Sequence, residues 1–252
     1  MSTPASQWAP IALSTVEFEV CWERLHLGEP PYVLEVPSPG RTHEERQQIV
    51  ESVLDGLRYR GLADGHWFHP DLVERMELLA DCSWAVDARL IADRMIRARG
   101  AVAGRRGVLA VIDEETVTLS ALPDHLVLGE VVALAGDAPV GRSTSASVRA
   151  ATLDAAAEVS ADARSLAENL IREGERPDDA RALAHMLSGV GFRGQFSVVV
   201  GNRRGPWVVG FHNTPESRHL QLRRNGWVTI APVSGQQLVR HVRELLDATP
   251  RD

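Results

Sequence analysis

The sequence contains no lysine, and all 27 of its basic side chains are arginines. Chemistry that needs a lysine amine is therefore excluded, including Schiff-base formation, pyridoxal phosphate linkage and phosphate binding by the lysine of a P-loop or a kinase strand. The net charge of −7 argues against nucleic acid as the main partner, because phosphate binding needs a basic surface.

Cysteines and long apolar runs are also scarce. The two cysteines, Cys21 and Cys82, form no CxxC pair, and we interpret them as reduced thiols of a cytoplasmic protein. No run of 18 apolar residues is present, so we expect no membrane span. Residues 1–10 lack a basic region followed by an apolar one, so we expect no signal peptide.

Motifs for catalysis, cofactors and metals are missing or stand in the wrong context. Gly189-x-Gly191-x-x-Gly194 matches the dinucleotide-binding pattern, but it follows a predicted helix and opens a predicted strand, the reverse of that fingerprint. Histidines occur in two polar corners, His66–His69 and His212–His219, without the ligand spacing of a zinc site. The motifs HExxH and GxSxG are absent. The sequence therefore predicts no cofactor, no metal and no catalytic residue.

The clearest pattern lies in Gly191–Leu246. Four short runs with alternating or apolar residues are separated by turn residues, including the hairpin dipeptide Asn225-Gly226. Ser234 and Gln237 have the spacing of a capping box and begin an amphipathic helix. This order is typical of an antiparallel meander closed by a helix, a sheet that can leave one face in water.

A similar order of elements occurs earlier in the chain. Residues 84–122 are predicted to be mainly strands, although 94–103 fits helix or strand, and a helix is predicted over 124–135. Further upstream, strict alternation predicts a strand over Val16–Trp22, and Thr42 with Glu45 begins a helix.

The middle of the chain joins these two parts. Residues 137–147 are rich in Gly, Ser, Thr and Pro and are interpreted as a linker, and alanine-rich helices are predicted over about 149–158, 161–173 and 177–188. We therefore predict an α+β fold, with a central antiparallel β-sheet, flanking helical bundles and two quasi-symmetric halves. The halves are placed at about 14–136 and 148–247 of a single domain spanning 1–252.

Several stretches resemble the EspG family of type VII (ESX) secretion chaperones over roughly Val16–Leu246. The residues that carry the resemblance are Pro31–Pro37 with Gly40–Arg46, Leu57–Leu62 with the helix after Pro70, Gly107–Val111, and Gly194–Phe196 through Trp227–Pro232. The corner before the last strands departs from the family's Asp-Thr-x-x-Gly-Arg-like pattern: Thr214 and Arg218 fit it, whereas Asn213 and Ser217 do not.

The resemblance implies a cytoplasmic, non-enzymatic chaperone that holds a PE–PPE heterodimer by the helical tip of PPE. It also implies a central antiparallel sheet with helical bundles in two quasi-symmetric halves. We predict that the partner contacts the water-exposed face of the second meander and the helices of 161–188, at Phe192, Gln195, Ser197, Arg164, Glu168 and Arg172. The sequence is also compatible with a homodimer. The alternative is an α+β enzyme or small-molecule sensor that uses the histidine corners.

Overall fold

The computed structural model describes residues 9–251. Residues 1–8, on which most of the signal-peptide expectation falls, and residue 252 lie outside the described residues. The described chain divides into two units, the first made of residues 9–87 and 95–131 and the second of residues 88–94 and 132–251.

The first unit begins with a short strand and a helix. Within the described residues its elements, in chain order, are β1 Ile11–Ser14, α1 Thr15–Arg24, a 3₁₀ turn Tyr32–Leu34, α2 His43–Tyr59, β2 Ala63–Asp64, β3 Trp67–Phe68, α3 Pro70–Ala80, β4 Trp84–Ile91, β5 Met95–Ala103, β6 Arg106–Asp113, β7 Thr116–Pro123 and α4 Asp124–Ala133. The division falls within β4 and α4, because residues 88–91 and 132–133 belong to the second unit.

The sheet of the first unit is antiparallel, with β5 pairing with β6, β6 with β7 and β7 with β1. The segment 94–103, which fitted helix or strand, therefore contains strand β5, and the predicted helix at 124–135 is α4. Helices α1 to α3 pack on this sheet and share its apolar core, to which they contribute the buried Phe18, Leu57 and Met76.

The strand predicted over Val16–Trp22 is wrong, because these residues form α1. The Ser14 hydroxyl accepts from the Glu17 amide, and the Glu17 carboxylate accepts from the Ser14 amide at 2.7 Å. This capping box fixes a helical start. Phe18 and Trp22, four residues apart, then lie on one helix face with their ring centroids 5.5 Å apart, and that face is buried.

The second unit repeats this order of elements. It contains β8 Ala146–Arg149, α5 Ala150–Val159, α6 Ala163–Arg172, α7 Pro177–Met186, β9 Arg193–Val200, β10 Arg203–Arg204, β11 Val209–Asn213, β12 Arg218–Arg224, β13 Trp227–Pro232 and α8 Gly235–Asp247. Its strands pair antiparallel in the order β9-β11-β12-β13-β8, and β10 pairs with β9. Strand β8 starts inside the segment interpreted as a linker.

The two units share one internal plan. In each, a short strand that precedes the helices (β1 or β8) pairs with the last strand of the meander (β7 or β13), and a helix (α4 or α8) follows that last strand. This repeated plan is the predicted quasi-symmetry, and the α+β class with antiparallel sheet is confirmed.

Candidate functional site

The sheet of the second unit has a different cover on each face. On one face α8 packs against β9 and β11, and its buried side chains include Leu245. Phe196 and Phe211 are buried and stacked with ring centroids 5.6 Å apart. On the other face α5, α6 and α7 form an apolar cluster with β8 and β13 that includes Leu170, Leu183 and Ile230.

The helical cover of this second face stops before the sheet does. One row of cross-strand neighbours runs Gln195, Gly210, Gln221, Ile230 and Ala146 across β9, β11, β12, β13 and β8. Ile230 and Ala146 are buried beneath the helices, whereas Gln195 and Gln221 are exposed. The sheet therefore presents an uncovered surface over β9, β11 and β12, directly beside the helical cluster.

We call this surface the open face and define it by Gln195, Ser197, Gly210 and Gln221. Ser197 belongs to it because side chains alternate along β9, where Phe196 points to the opposite, buried face. Polar side chains and a glycine leave the backbone of these strands accessible, so the open face can receive an elongated partner surface.

The structure places Gln195 and Ser197 of β9 on one face of the sheet and Phe192, which precedes β9, on the other. Gln195 and Ser197 lie on the open face. Phe192 packs edge-on against Phe211, with ring centroids 5.6 Å apart and an interplanar angle of 71°, on the side that α8 covers. Phe192 is half-buried there, so its packing contact is with the core of the unit.

The three predicted α6 residues make contacts within their own helix. Arg164 Nε donates to Glu168 Oε1 at 3.0 Å, and Arg172 Nη1 donates to Asn169 Oδ1 at 2.6 Å. Helix α6 packs against α5 and α7. Among residues 9–251 no hydrogen bond or ion pair joins these side chains to β9, so the partner role of all six residues stays a prediction.

Sequence reasoning missed two residues of the open face, Gly210 and Gln221. The signal that identifies them is the strand register: Gly210 lies opposite both Gln195 and Gln221. A Cβ atom at Gly210 would lie 3.1 Å from the Gln221 carbonyl oxygen, so the glycine permits close approach here. Val208 just before β11 and Val159 at the end of α5 are also exposed.

The His212–His219 corner forms a buried pair. These histidines are cross-strand neighbours with stacked rings 5.1 Å apart, and His212 Nε2 donates to the Met186 carbonyl oxygen at 2.8 Å. Burial, helped by the neighbouring His212 and His185, lowers the pKa of His219 to about 4. Burial also lowers the pKa of His212, so both rings are neutral near pH 7.

A pocket of about 220 Å³ lies beside this pair. It is lined by His219 and His185 and by hydroxyl-bearing residues from three loops, among them Ser143, Ser188 and Thr214. Within residues 9–251, no three His, Cys, Asp or Glu side chains are grouped so that they could hold a metal ion. The pocket has space for a small polar ligand.

The other histidine corner has a structural role at a helix start. His69 Nδ1 accepts from the Asp71 amide at 3.2 Å, so His69 caps α3. The glycine pattern has structural roles too: Gly189 adopts φ +68 after α7, and Gly194 makes a close approach to Arg89 and Leu90.

The corner Asn213–Arg218 anchors the segment that follows α4. Arg218 is buried, and its Nη2 donates to the carbonyl oxygens of Ala135 and Gly136 at 2.7 and 2.8 Å. Arg218 Nε donates to Asn213 Oδ1, so an amide serves where the family pattern has a carboxylate. Ser217 Oγ accepts from the Gly141 amide at 2.7 Å. A Cβ at Gly141 would lie 2.5 Å from that hydroxyl. This contact therefore needs a glycine at position 141, whereas the family pattern has its glycine at the position of Ser217.

None of the helices within residues 9–251 is long and apolar enough to cross a membrane.

The chain has a repeated α+β plan and a sheet face that its own helices leave uncovered, and comparison with known proteins identifies its family. The EspG family model matches residues 14–244, so the chain belongs to the EspG family. The resemblance read from the sequence is thereby confirmed. This is not a known enzyme family.

A solved structure similar to this one is the type VII secretion system chaperone EspG5 of Mycobacterium tuberculosis, determined in complex with the PE25–PPE41 dimer. The TM-score is 0.74 at 17% sequence identity, and the match covers 96% of this chain and 97% of the other. At this identity the likeness shows the fold. A sequence comparison with curated proteins finds no significant match.

Proposed function

We propose that this chain is a cytoplasmic type VII (ESX) secretion chaperone that binds the helical tip of PPE in a PE–PPE heterodimer. It keeps the heterodimer soluble, directs it to the secretion system, and acts by binding without catalysing a reaction. The observation that carries the proposal is family membership over residues 14–244, together with a fold match to a chaperone solved in complex with such a dimer.

The physical basis is the need to cover an apolar surface. An exposed apolar helical tip aggregates unless another surface buries it. The open face offers accessible strands beside the apolar helical cluster, and Val208, which directly precedes β11, and Val159, which ends α5 of that cluster, are exposed. A helical tip could bury its apolar side against these side chains while polar groups meet Gln195 and Gln221.

Co-expression with PE–PPE pairs from the same genome, followed by size-exclusion chromatography, tests the proposal. We expect one stoichiometric complex with a cognate pair. Failure to co-elute with every such pair would contradict the chaperone function.

Charge substitutions locate the interface. Gln195→Arg and Gln221→Arg place a long cation on the open face, whereas Gln47→Arg makes the same change on the exposed surface of α2. We expect the first two to weaken binding at least about tenfold, which corresponds to about 1.4 kcal/mol, because an unpaired charge must be desolvated. Gln47→Arg should bind like the unmodified chain. Equal binding by all three variants would place the interface elsewhere.

A second candidate function, small-molecule sensing, is favoured by the pocket of about 220 Å³ beside His219. Thermal-shift screening with small polar compounds tests it, and His219→Gln is the matched variant. A compound that stabilises the unmodified chain but not His219→Gln would support this function. Absence of such a compound together with PE–PPE binding would eliminate it.

A further inference from the structure

Trp207 and Arg224 form a stacked pair on the second unit. The Cζ atom of Arg224 lies 3.5 Å from the centroid of the Trp207 ring, a cation–π contact. Arg224 ends β12, and its cross-strand neighbour on β13 is Trp227. The guanidinium is thus held flat against an aromatic surface and has little freedom to turn.

Three N–H donors of this pair are buried, and in the part of the chain that the structure describes none of them has a hydrogen-bond acceptor. They are Nε1 of Trp207 and Nε and Nη2 of Arg224. Nε and Nη2 share one edge of the guanidinium, and their N–H bonds run parallel, the arrangement that fits both oxygens of a carboxylate. Because buried donors without an acceptor are unfavourable, a ligand that supplies acceptor oxygens would gain binding energy here.

The carboxylate of Glu244 is engaged elsewhere. Burial lowers the pKa of Arg224, and the charge of Glu244 opposes this lowering. Its Oε2, however, lies 3.1 Å from His241 Nδ1. The Glu244 charge also disfavours a ligand with two negative charges, so a singly charged carboxylate fits the site better than a phosphate does.

We propose that Trp207 and Arg224 form a binding site for a carboxylate group. The carboxylate would accept from both N–H groups of the Arg224 edge and from the Trp207 indole. The source is a free carboxylate ion or an acidic side chain of a bound polypeptide. The site lies outside the open face, and the proposal does not depend on the chaperone function.

Indole proton resonances give a direct test, because an indole N–H shifts downfield when it gains a strong acceptor. The chain has six tryptophans, and Trp207→Phe assigns the resonance in the full chain labelled with ¹⁵N-tryptophan. Acetate and a blocked glutamate (N-acetyl-glutamate amide) are titrated at constant ionic strength with chloride, and blocked glutamine and inorganic phosphate serve as comparison ligands.

We expect a saturable downfield shift of the Trp207 resonance with acetate and with blocked glutamate, and none with blocked glutamine. Saturation by blocked glutamate at lower concentration than acetate would assign the site to polypeptide side chains, and the reverse order to free ions. Arg224→Lys keeps the charge but lacks the two-donor edge, and should weaken binding at least about tenfold. Trp67→Phe, at an exposed tryptophan, should leave it unchanged.

Three results would overturn the proposal. A shift that is absent or linear in acetate would mean that water alone meets these donors. A saturable response to phosphate without one to acetate would exclude the carboxylate class. Carboxylate binding that appears only in Glu244→Gln would show that Glu244 fills the site itself.

Discussion

Gly194 is the position where one added methyl group should lower the free energy of unfolding most directly. A Cβ atom there would lie 2.5 Å from Leu90 Cδ2, 2.8 Å from the Arg89 carbonyl oxygen and 2.8 Å from Phe211 Cε1. The leucine methyl can rotate away. The backbone carbonyl cannot, and the Phe211 ring is fixed by its stack on Phe196.

The size of the destabilisation follows from the overlap between the added Cβ atom and its neighbours. Carbon–oxygen contacts of this kind are normally about 3.3–3.6 Å, so the strand or its neighbour must move by roughly half an ångström. Overpacking of this size in a close-packed interior costs about 1–3 kcal/mol. The lower backbone entropy of alanine in the unfolded chain returns about 0.4–1 kcal/mol. We therefore expect Gly194→Ala to lower the free energy of unfolding by about 1–2 kcal/mol, or Tm by about 2–8 °C.

Gly191→Ala is the matched control. Its Cβ would meet only the Asn213 carbonyl oxygen, at 3.8 Å, which is ordinary contact, so only the entropy gain remains and we expect the free energy of unfolding to be unchanged or to rise by up to about 1 kcal/mol. Urea unfolding followed by circular dichroism and tryptophan fluorescence measures both variants. If Gly194→Ala were as stable as the unmodified chain, or if both variants lost equal stability, the close approach at Gly194 would not be the cause and the reasoning would fail.

Three further outcomes can be measured. Arg218→Lys should lower the free energy of unfolding by about 2–4 kcal/mol, because a lysine cannot serve all the buried acceptors that the guanidinium reaches; unchanged urea unfolding would contradict this. The pKa of His219 is about 4 in the folded chain against 6.5 as its ordinary value, so the unfolded state takes up the proton first, and stability should fall as the pH drops from about 6.5 toward 4. In urea midpoints at pH 7 and 5, His219→Gln should reduce this loss and His66→Gln should not; equal losses would refute the assignment. Burial raises the pKa of the Cys21 thiol to about 12, so a disulfide reagent at pH 8 should label Cys21 only after unfolding; rapid labelling of the folded chain at this residue would disprove it.

Local sequence patterns were sufficient where the structure depends on near neighbours. The capping boxes at Thr42 and Ser234 begin α2 and α8 as predicted. Asn225 and Gly226 adopt φ 51 and φ 79, as a tight hairpin requires. In each case the hydrogen bond or dihedral angle involves residues no more than four positions apart, so the pattern carries the information.

The same patterns failed where one stretch satisfied two periods. Residues 16–22 alternate as a strand does, but Phe18 and Trp22 also share a helical face. The capping box at Ser14 and Glu17 favours the helix. The capping signal was present in the sequence, and period-2 alternation was the weaker evidence.

The candidate site was only partly accessible from the sequence. Alternation along β9 placed Gln195 and Ser197 away from the core, and the structure agrees. It could not place Gly210 and Gln221 beside them, because a register between strands is not a property of either strand alone. The same alternation puts Phe192 on the side of Phe196, but it could not show that Phe192 packs against Phe211, because that contact depends on a neighbouring strand.

The sequence by itself determined the family, the α+β class and most helix starts, because periodicity, caps and turn residues act over a few positions. Only the tertiary structure decided which distant segments pair and which face stays uncovered. Ile11 lies opposite Leu119, and Ala146 opposite Ile230, through backbone hydrogen bonds that any side chain can accompany. The buried donors of Trp207 and Arg224 likewise arise where the loop before β11 meets the end of β12, and a local sequence pattern does not predict such long-range contacts.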